Sequence, residues 1–320
     1  MVINAATMNE LLANMQLDFN QAYEQTQVTL GPWVTEVPNS GALGRYPMTM
    51  FLATMREWIG PRQFGHLLAE YLEVTNLDYE LSWGIPTNDI EDDNIGYLGS
   101  VMTQGGRNAK ANWGKIATAA LTANGNWLDS ASFFGDSRTI GESGTIDNYC
   151  TDALSESVFN TAYQKMQEYC APNGEPMGIL PDILMYGPKN RATAHEILHQ
   201  GPGATAANAN EKIVRGLLNP YLTGTYDDYW FLMATGGAPP AMGDADMPFV
   251  AGGGPPVLLQ KRKEGSIVAM DKPTDMTVFL GSVAPGVDTG TVPGGVNAYG
   301  IHHRGAAALT NPYWCYAGIL

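Results

Sequence analysis

The sequence predicts a mixed α+β chain whose distinguishing feature is a projecting hairpin tied to a long helix. Three observations carry this. An aromatic turn, Arg56-Glu57-Trp58-Ile59-Gly60-Pro61-Arg62, sits within a region of extended pattern. Tyr71 to Leu81 alternates apolar and polar residues, the period of a half-buried strand. An acid cluster, Asp89-Ile90-Glu91-Asp92-Asp93-Asn94, then leads into a segment of helical spacing. A two-stranded ribbon is too narrow to bury its own apolar residues. Such a hairpin needs something to lie on, and the arrangement suits a protein that grips its neighbours.

Taken in order, the first element is a helix. Met8, Leu11, Leu12, Met15, Phe19, Ala22 and Tyr23 recur at helical spacing, and Thr7 with Glu10 fits a capping box. From Gly31 to Leu81 the pattern is mostly extended, punctuated by Pro32, Pro38, Pro47 and Pro61. Two antiparallel strands are expected here, with the tryptophan-bearing segment near their turn. Ile95 to Ala123 reads as a helix with Leu98, Met102, Gly105, Ala109, Trp113, Ile116, Ala120 and Leu121 along one face. Asp92 and Asp93 precede it, where carboxylates favour the positive end of the helix dipole. Gly105-Gly106 is expected to weaken or bend it.

Asn124 to Asn148 is loop-rich, and a second amphipathic helix carries Leu154, Val158, Phe159, Ala162, Met166 and Cys170. Ile179 to Tyr186 reads as a buried strand, and Pro188 suits the first position of a helix running to about Gln200. Tyr229 to Met233 is another apolar strand, Gly236 to Pro256 a glycine- and proline-rich loop, and Val257 to Leu320 a set of strands separated by turns.

Composition bounds the function. The 320 residues are 44% apolar, enough for one large or two modest domains with a real core. A net charge of −15 argues against affinity for nucleic acid, which needs lysine and arginine to displace phosphate counterions. Cys150, Cys170 and Cys315 are odd in number and show no CxxC spacing, so reduced, mostly buried thiols are expected. Neither a signal peptide nor an apolar run long enough for a membrane span is evident.

The sharpest catalytic signal is His195-Glu196-Ile197-Leu198-His199, the H-E-x-x-H spacing that puts two imidazoles on one helical face for zinc with a glutamate as general base. Catalytic zinc takes a third protein ligand. The extended motif would need glycine at 202 and histidine at 205, where this chain has Pro202 and Thr205, and Glu211 follows a small-residue loop. A zinc metallopeptidase is therefore the second reading. Gly114-Lys115 lacks the glycine-rich loop of a phosphate-binding site, Asp89 to Asn94 lacks the glycine and terminal glutamate of a calcium loop, and His302-His303-Arg304 reads as structural or solvated. No cofactor is expected.

The order Glu-Trp-hydrophobic-Gly before Glu-Asp-Asp-Asn-hydrophobic-Gly and a long helix resembles the Mu-like major head subunit family of tailed phages. More loosely, Leu180-Pro181-Asp182-Ile183-Leu184 and Asn311-Pro312-Tyr313 resemble that family's apical and closing segments. The resemblance implies the Hong Kong 97-type capsid fold. It would have an N-terminal arm (1–42), an extended hairpin loop (43–88), a peripheral domain with the spine helix (89–172), an axial domain (173–255) and strands returning to the peripheral domain (256–320). It implies a virion protein, assembled in the bacterial host cytoplasm into hexamers and pentamers around double-stranded DNA that it does not bind specifically. A portal, a separate scaffold and a decoration or cement protein would be partners. An encapsulin-like non-viral shell is a further alternative. Some capsids of this fold weld subunits through a lysine in the extended loop; the first lysine here is Lys110, so no such crosslink is expected. Candidate interface residues are Arg56, Glu57, Trp58 and Arg62 in the loop, and Asp89, Glu91, Asp92 and Asp93 near its base.

Overall fold

A computed structural model describes residues 5–49, 60, 69–86, 92, 97–199, 210–237, 253–269 and 296–319. The chain begins with α1 (Ala5–Gln25), followed by β1 (Val34–Pro38), β2 (Leu43–Thr49), β3 (Ala69–Thr75), β4 (Leu77–Pro86) and α2 (Tyr97–Thr122). Short strands β5 (Arg138–Thr139), β6 (Thr145–Ile146) and β7 (Tyr149–Cys150) lead to α3 (Glu156–Gln167), β8 (Ile183–Tyr186), α4 (Arg191–Leu198), β9 (Arg215–Leu218) and β10 (Trp230–Met233). The long strands β11 (Val257–Ala269) and β12 (Val296–Leu309) precede β13 (Cys315–Gly318). Among the described residues no helix is long and apolar enough to cross a membrane.

Two sheets organise these elements. The first has the order β1-β11-β12-β4, with β1 parallel to β11 and the remaining pairs antiparallel. The second runs β7-β13-β10-β8-β9. Its central strands are apolar at every position because both faces are covered, the pattern expected of a doubly buried sheet. Phe231, Met233, Ile183, Met185, Cys315 and Ala317 face a core shared with α2 and β11. Trp230, Leu232, Leu184 and Tyr316 face a second core built by α3 and α4.

The spine of the first core is α2. Its predicted face is buried at Leu98, Met102, Gly105, Ala109, Trp113, Ile116 and Leu121. The helix runs unbroken through Gly105-Gly106, contrary to the expected weakening. The glycine pair is instead where α1 crosses: a Cβ on Gly106 would stand 2.5 Å from the Phe19 carbonyl oxygen. Met15, Phe19, Ala22 and Tyr23 of α1 are buried, and Trp113 Nε1 donates to the Tyr23 hydroxyl at 3.0 Å, so this part of the helix packs within its own chain.

The loop-rich segment after α2 is held by polar bonds rather than by regular structure. Asn148 is fully buried; its amide donates to the carbonyls of Phe133, Pro312 and Cys315 and accepts from the Gly135 N–H. Arg138 pairs with Asp129 at 2.6 Å and donates to two further carbonyls. Burial alone would raise the Asp129 carboxyl, but the hydrogen bonds it accepts from Arg138 and from the Ala131 N–H, with the Arg138 charge, hold it below the usual range.

Local expectations shift at several points. Thr7 lies inside α1, which already includes the good helix formers Ala5 and Ala6, and a capping residue must be non-helical. The second amphipathic helix is capped by Ser155 and ends at Gln167, leaving Leu154 and Cys170 outside it. Pro188 is not the first helical residue: the turn at Pro188–Asn190 precedes α4, whose cap is Asn190 and which ends at Leu198. β8 begins only at Ile183, because Pro181 offers no N–H and the Asp182 carboxylate is turned to Thr235, accepting from its N–H at 2.6 Å and its hydroxyl at 2.5 Å. Of the three cysteines, all free, only Cys315 is fully buried.

Candidate intersubunit surface

The hairpin β2–β3 has two unlike faces. Cross-strand partners Leu43↔Thr75, Arg45↔Glu73 and Pro47↔Tyr71 share the outer face, and every one of these six residues is exposed. Arg45 and Glu73 form an ion pair at 2.8 Å, flanked by apolar Leu43 and Tyr71, the latter 57% exposed. Gly44, Val74, Tyr46 and Leu72 occupy the inner face. There Val74 packs on Leu258 and Ala306 of the first sheet.

The expected single strand from Tyr71 to Leu81 is two strands broken at Asn76. Its first half pairs with β2 and its second with β12. Asn76 is buried, and its amide is committed to non-ladder partners: Nδ2 donates to the Gly41 carbonyl at 2.8 Å, and Oδ1 accepts from Gln260 Nε2 at 2.6 Å.

Beyond the break, β4 forms one edge of the first sheet, leaving Leu77 and Leu81 exposed. Between them Tyr79 packs beside His303, whose ring stacks on Trp113 with centroids 4.4 Å apart. His303 is 4% exposed. Burial, helped by neighbouring His302, pushes its pKa down to about 4, so the ring is neutral and Nε2 can accept from Asn112 Nδ2 at 2.7 Å. His302 and Arg304 instead reach Asp78, each at 3.2 Å. A cleft of about 250 Å³ opens here between β4, β12 and α2, lined by Tyr79, Leu81, Asn108, Asn112, Ile301 and His303. Of the pair, His303 is packed into the fold and His302 is partly exposed against Asp78.

Two family models match the chain: the Mu-like prophage major head subunit gpT over residues 8–153, and the phage capsid protein family over residues 88–317. The second spans well over half of the chain. The chain belongs to the phage capsid protein family. The major capsid protein of Escherichia phage Mu is 27% identical over 115 residues, 34% of this chain and 36% of that protein, so the matched segment is about a third of the relative's length. The procapsid structure of bacteriophage JBD30 has a TM-score of 0.53 at 19% identity, covering 99% of this chain and 76% of that chain. The JBD30 capsid decorated with minor capsid protein trimers has a TM-score of 0.55 at 21% identity, covering 70% of this chain and all (100%) of that one. These structures share the Hong Kong 97-type capsid fold with this chain.

For this capsid-family chain the predicted interface residues divide sharply by position. Arg56, Glu57, Trp58, Arg62, Asp89, Glu91 and Asp93 lie outside the described residues; Asp92 is exposed, five residues before α2 begins. In the H-E-x-x-H segment, His195 and Glu196 are exposed on α4, while His199 is its extended C-terminal cap. The helix ends before a second histidine can share its face in helical geometry, although the two rings stand 4.5 Å apart. Among the described residues no group of three or more histidine, cysteine or acidic side chains is placed to hold a metal. Sequence reasoning missed Asn76 and Gln260. The one available signal was a polar residue closing the apolar run Val257-Leu258-Leu259-Gln260.

Proposed function

We propose that this chain is the major head subunit of a tailed bacteriophage, self-assembling without covalent crosslinks into hexamers and pentamers of a shell around double-stranded DNA. The family carries the shell role. The observation that supports the mode of assembly is the hairpin's outer face, a wholly exposed surface that mixes apolar side chains with an ion pair. A solitary hairpin is marginal in water, and this one has support on its inner side alone. A neighbouring subunit is the natural cover for the other side.

On this reading the extended loop is residues 43–88, the arm 1–42, the peripheral domain 89–172 and the axial domain 173–255, with 256–320 returning. Arg56 and Arg62, which flank Glu57 and Trp58 in the loop, would pair with the acids Asp89, Glu91, Asp92 and Asp93 of an adjacent subunit. Each such rim pair contributes about 0–1 kcal/mol, but a closed shell repeats it many times. Trp58 would be the larger contributor, because aromatic anchors dominate interface energies. The subunit is a virion component assembled in the host cytoplasm. Its partners are a portal, a separate scaffold and a decoration protein, the last by analogy with the decorated JBD30 capsid. It has no catalytic role, and its acidity lets packaged DNA slide past.

Negative-stain microscopy of the expressed chain tests this directly: shells, or free hexamers and pentamers where the scaffold is lacking, are expected, and a chain that stays monomeric at high concentration overturns the reading. Trp58→Ala should prevent shell closure. Particles run on a denaturing gel should give monomer near 34.4 kDa; a ladder of covalent oligomers contradicts non-covalent assembly.

A further inference from the structure

One buried side chain touches both strands of the hairpin and the sheet beneath. Gln260 of β11 is fully buried. Its Oε1 accepts the Tyr46 hydroxyl of β2 at 2.6 Å. Its Nε2 donates to Asn76 Oδ1 at 2.6 Å and to the Val74 carbonyl of β3 at 3.3 Å. Asn76 passes the connection on to the Gly41 and Ala42 carbonyls, at the entry to β2. The site is built closely around this amide: a Cβ on Gly44 would stand 1.9 Å from Gln260 Oε1, so only glycine admits it.

Apolar packing under the hairpin, at Val74, Leu258 and Ala306, holds it to the sheet but is non-directional. Hydrogen bonds are directional, and a buried amide left without partners is costly. An alternative tilt of the hairpin would strand the Gln260 amide, the Tyr46 hydroxyl and the Asn76 carboxamide together. We propose that Gln260 is the positioning residue of the hairpin: its amide, bonded to both strands and to the Asn76 break, fixes the direction in which β2 and β3 leave the sheet. The consequence for shell geometry rests on the head-subunit reading above; the local role does not.

Hydrogen–deuterium exchange on the full-length unassembled chain tests the local role. Gln260→Met keeps the length of the side chain and removes its bonds. Amides of β2 and β3 should then exchange at least tenfold faster, while those of β8 and β10 keep their wild-type rates. Unchanged rates in the hairpin overturn the proposal, as does an equal loss of protection in both sheets, which would make Gln260 an ordinary core residue. Should Gln260→Met fail to fold, Tyr46→Phe decides, since it removes one bond and leaves the glutamine in place: a smaller acceleration confined to β2 and β3 supports the latch, and none overturns it. Microscopy of the same preparations separates the two readings. Wild-type chain that forms neither shells nor free hexamers and pentamers, with the exchange contrast intact, sinks the head-subunit reading alone. Shells of unaltered size from a loosened variant overturn the claim that the hairpin's direction is set here.

Discussion

The five-stranded sheet is apolar through its central strands and covered on both faces, whereas the β2–β3 hairpin mixes charged and apolar residues and is covered on one. Trp230, Phe231, Leu232 and Met233 are each 0% exposed, alternating between two cores. The hairpin has one face on the first sheet and one in solvent, where Leu43 is 41% and Tyr71 57% exposed. The first region can be stable in an isolated subunit. On the proposed reading, the second acquires its missing layer on assembly. Substitutions should therefore sort the two: sheet variants lose the fold, and hairpin variants lose the shell.

The largest effect is expected at Phe231. Its ring lies in the core beside Phe134 at 5.7 Å, and truncation removes both transfer energy and packing. Phe231→Ala should cost about 3–5 kcal/mol in urea unfolding, enough to leave little soluble subunit. A variant that folds normally and fails only in assembly would erase the distinction between the regions.

The border between them is sensitive to protons. With His303 held near pKa 4 in the fold and about 6.5 when unfolded, the unfolded chain binds the extra proton between those values. Stability from the neutral ring is fully present above about pH 6.5 and lost as pH falls toward 4, by at most about 3 kcal/mol. His303→Gln should flatten this part of the stability profile relative to wild type, while the carboxylates titrate alike in both. Parallel profiles would mean the ring is not held neutral.

Helix packing gives the next effect. Gly106→Val would press two extra methyl groups and a Cβ toward the Phe19 carbonyl. It should cost about 1–3 kcal/mol by overpacking. Thermal unfolding followed by circular dichroism measures it, and a neutral result would show that α1 can shift away at no cost.

Legibility followed the range of the interactions. The face of α2 and the strand at Trp230 were readable because helical period and apolar runs are local signals. The hairpin was readable as a need, from a ribbon too narrow to bury itself. The break at Asn76 was not, because its deciding partner, Gln260, lies 184 positions away along the chain. Nor was the purpose of Gly105-Gly106: a glycine pair in a helix reads as weakness until the crossing helix is seen. Pro188 fitted a helix start by rule, yet the chain used it one turn earlier. In the candidate interface the sequence named the loop tip and the acid cluster, whereas the described surface is the hairpin's stem, whose exposed face shows only once the register of β2 with β3 is fixed.

That stem gives the smallest effect on the subunit and the sharpest test of the comparison. Arg45 and Glu73 are 66% and 52% exposed, and such a pair contributes little in water. Arg45→Ala should move the unfolding midpoint by no more than about 0.5 kcal/mol. Tyr71→Ala should do the same, since its ring already stands mostly in solvent. In a shell both side chains would be covered, and the ring's burial against a neighbour would be worth about 1.5–3 kcal/mol per subunit. Tyr71→Ala should therefore yield stable, monodisperse subunits that close few shells, counted by electron microscopy against wild type at equal concentration. Arg45→Ala should slow closure mainly at low salt, and the difference from wild type should fade at high salt, where the Arg45 charge is screened in both. If Tyr71→Ala assembled as well as wild type, the outer face of the stem would be solvent-facing in the shell too, and the hairpin's missing layer would have to be sought at its tip.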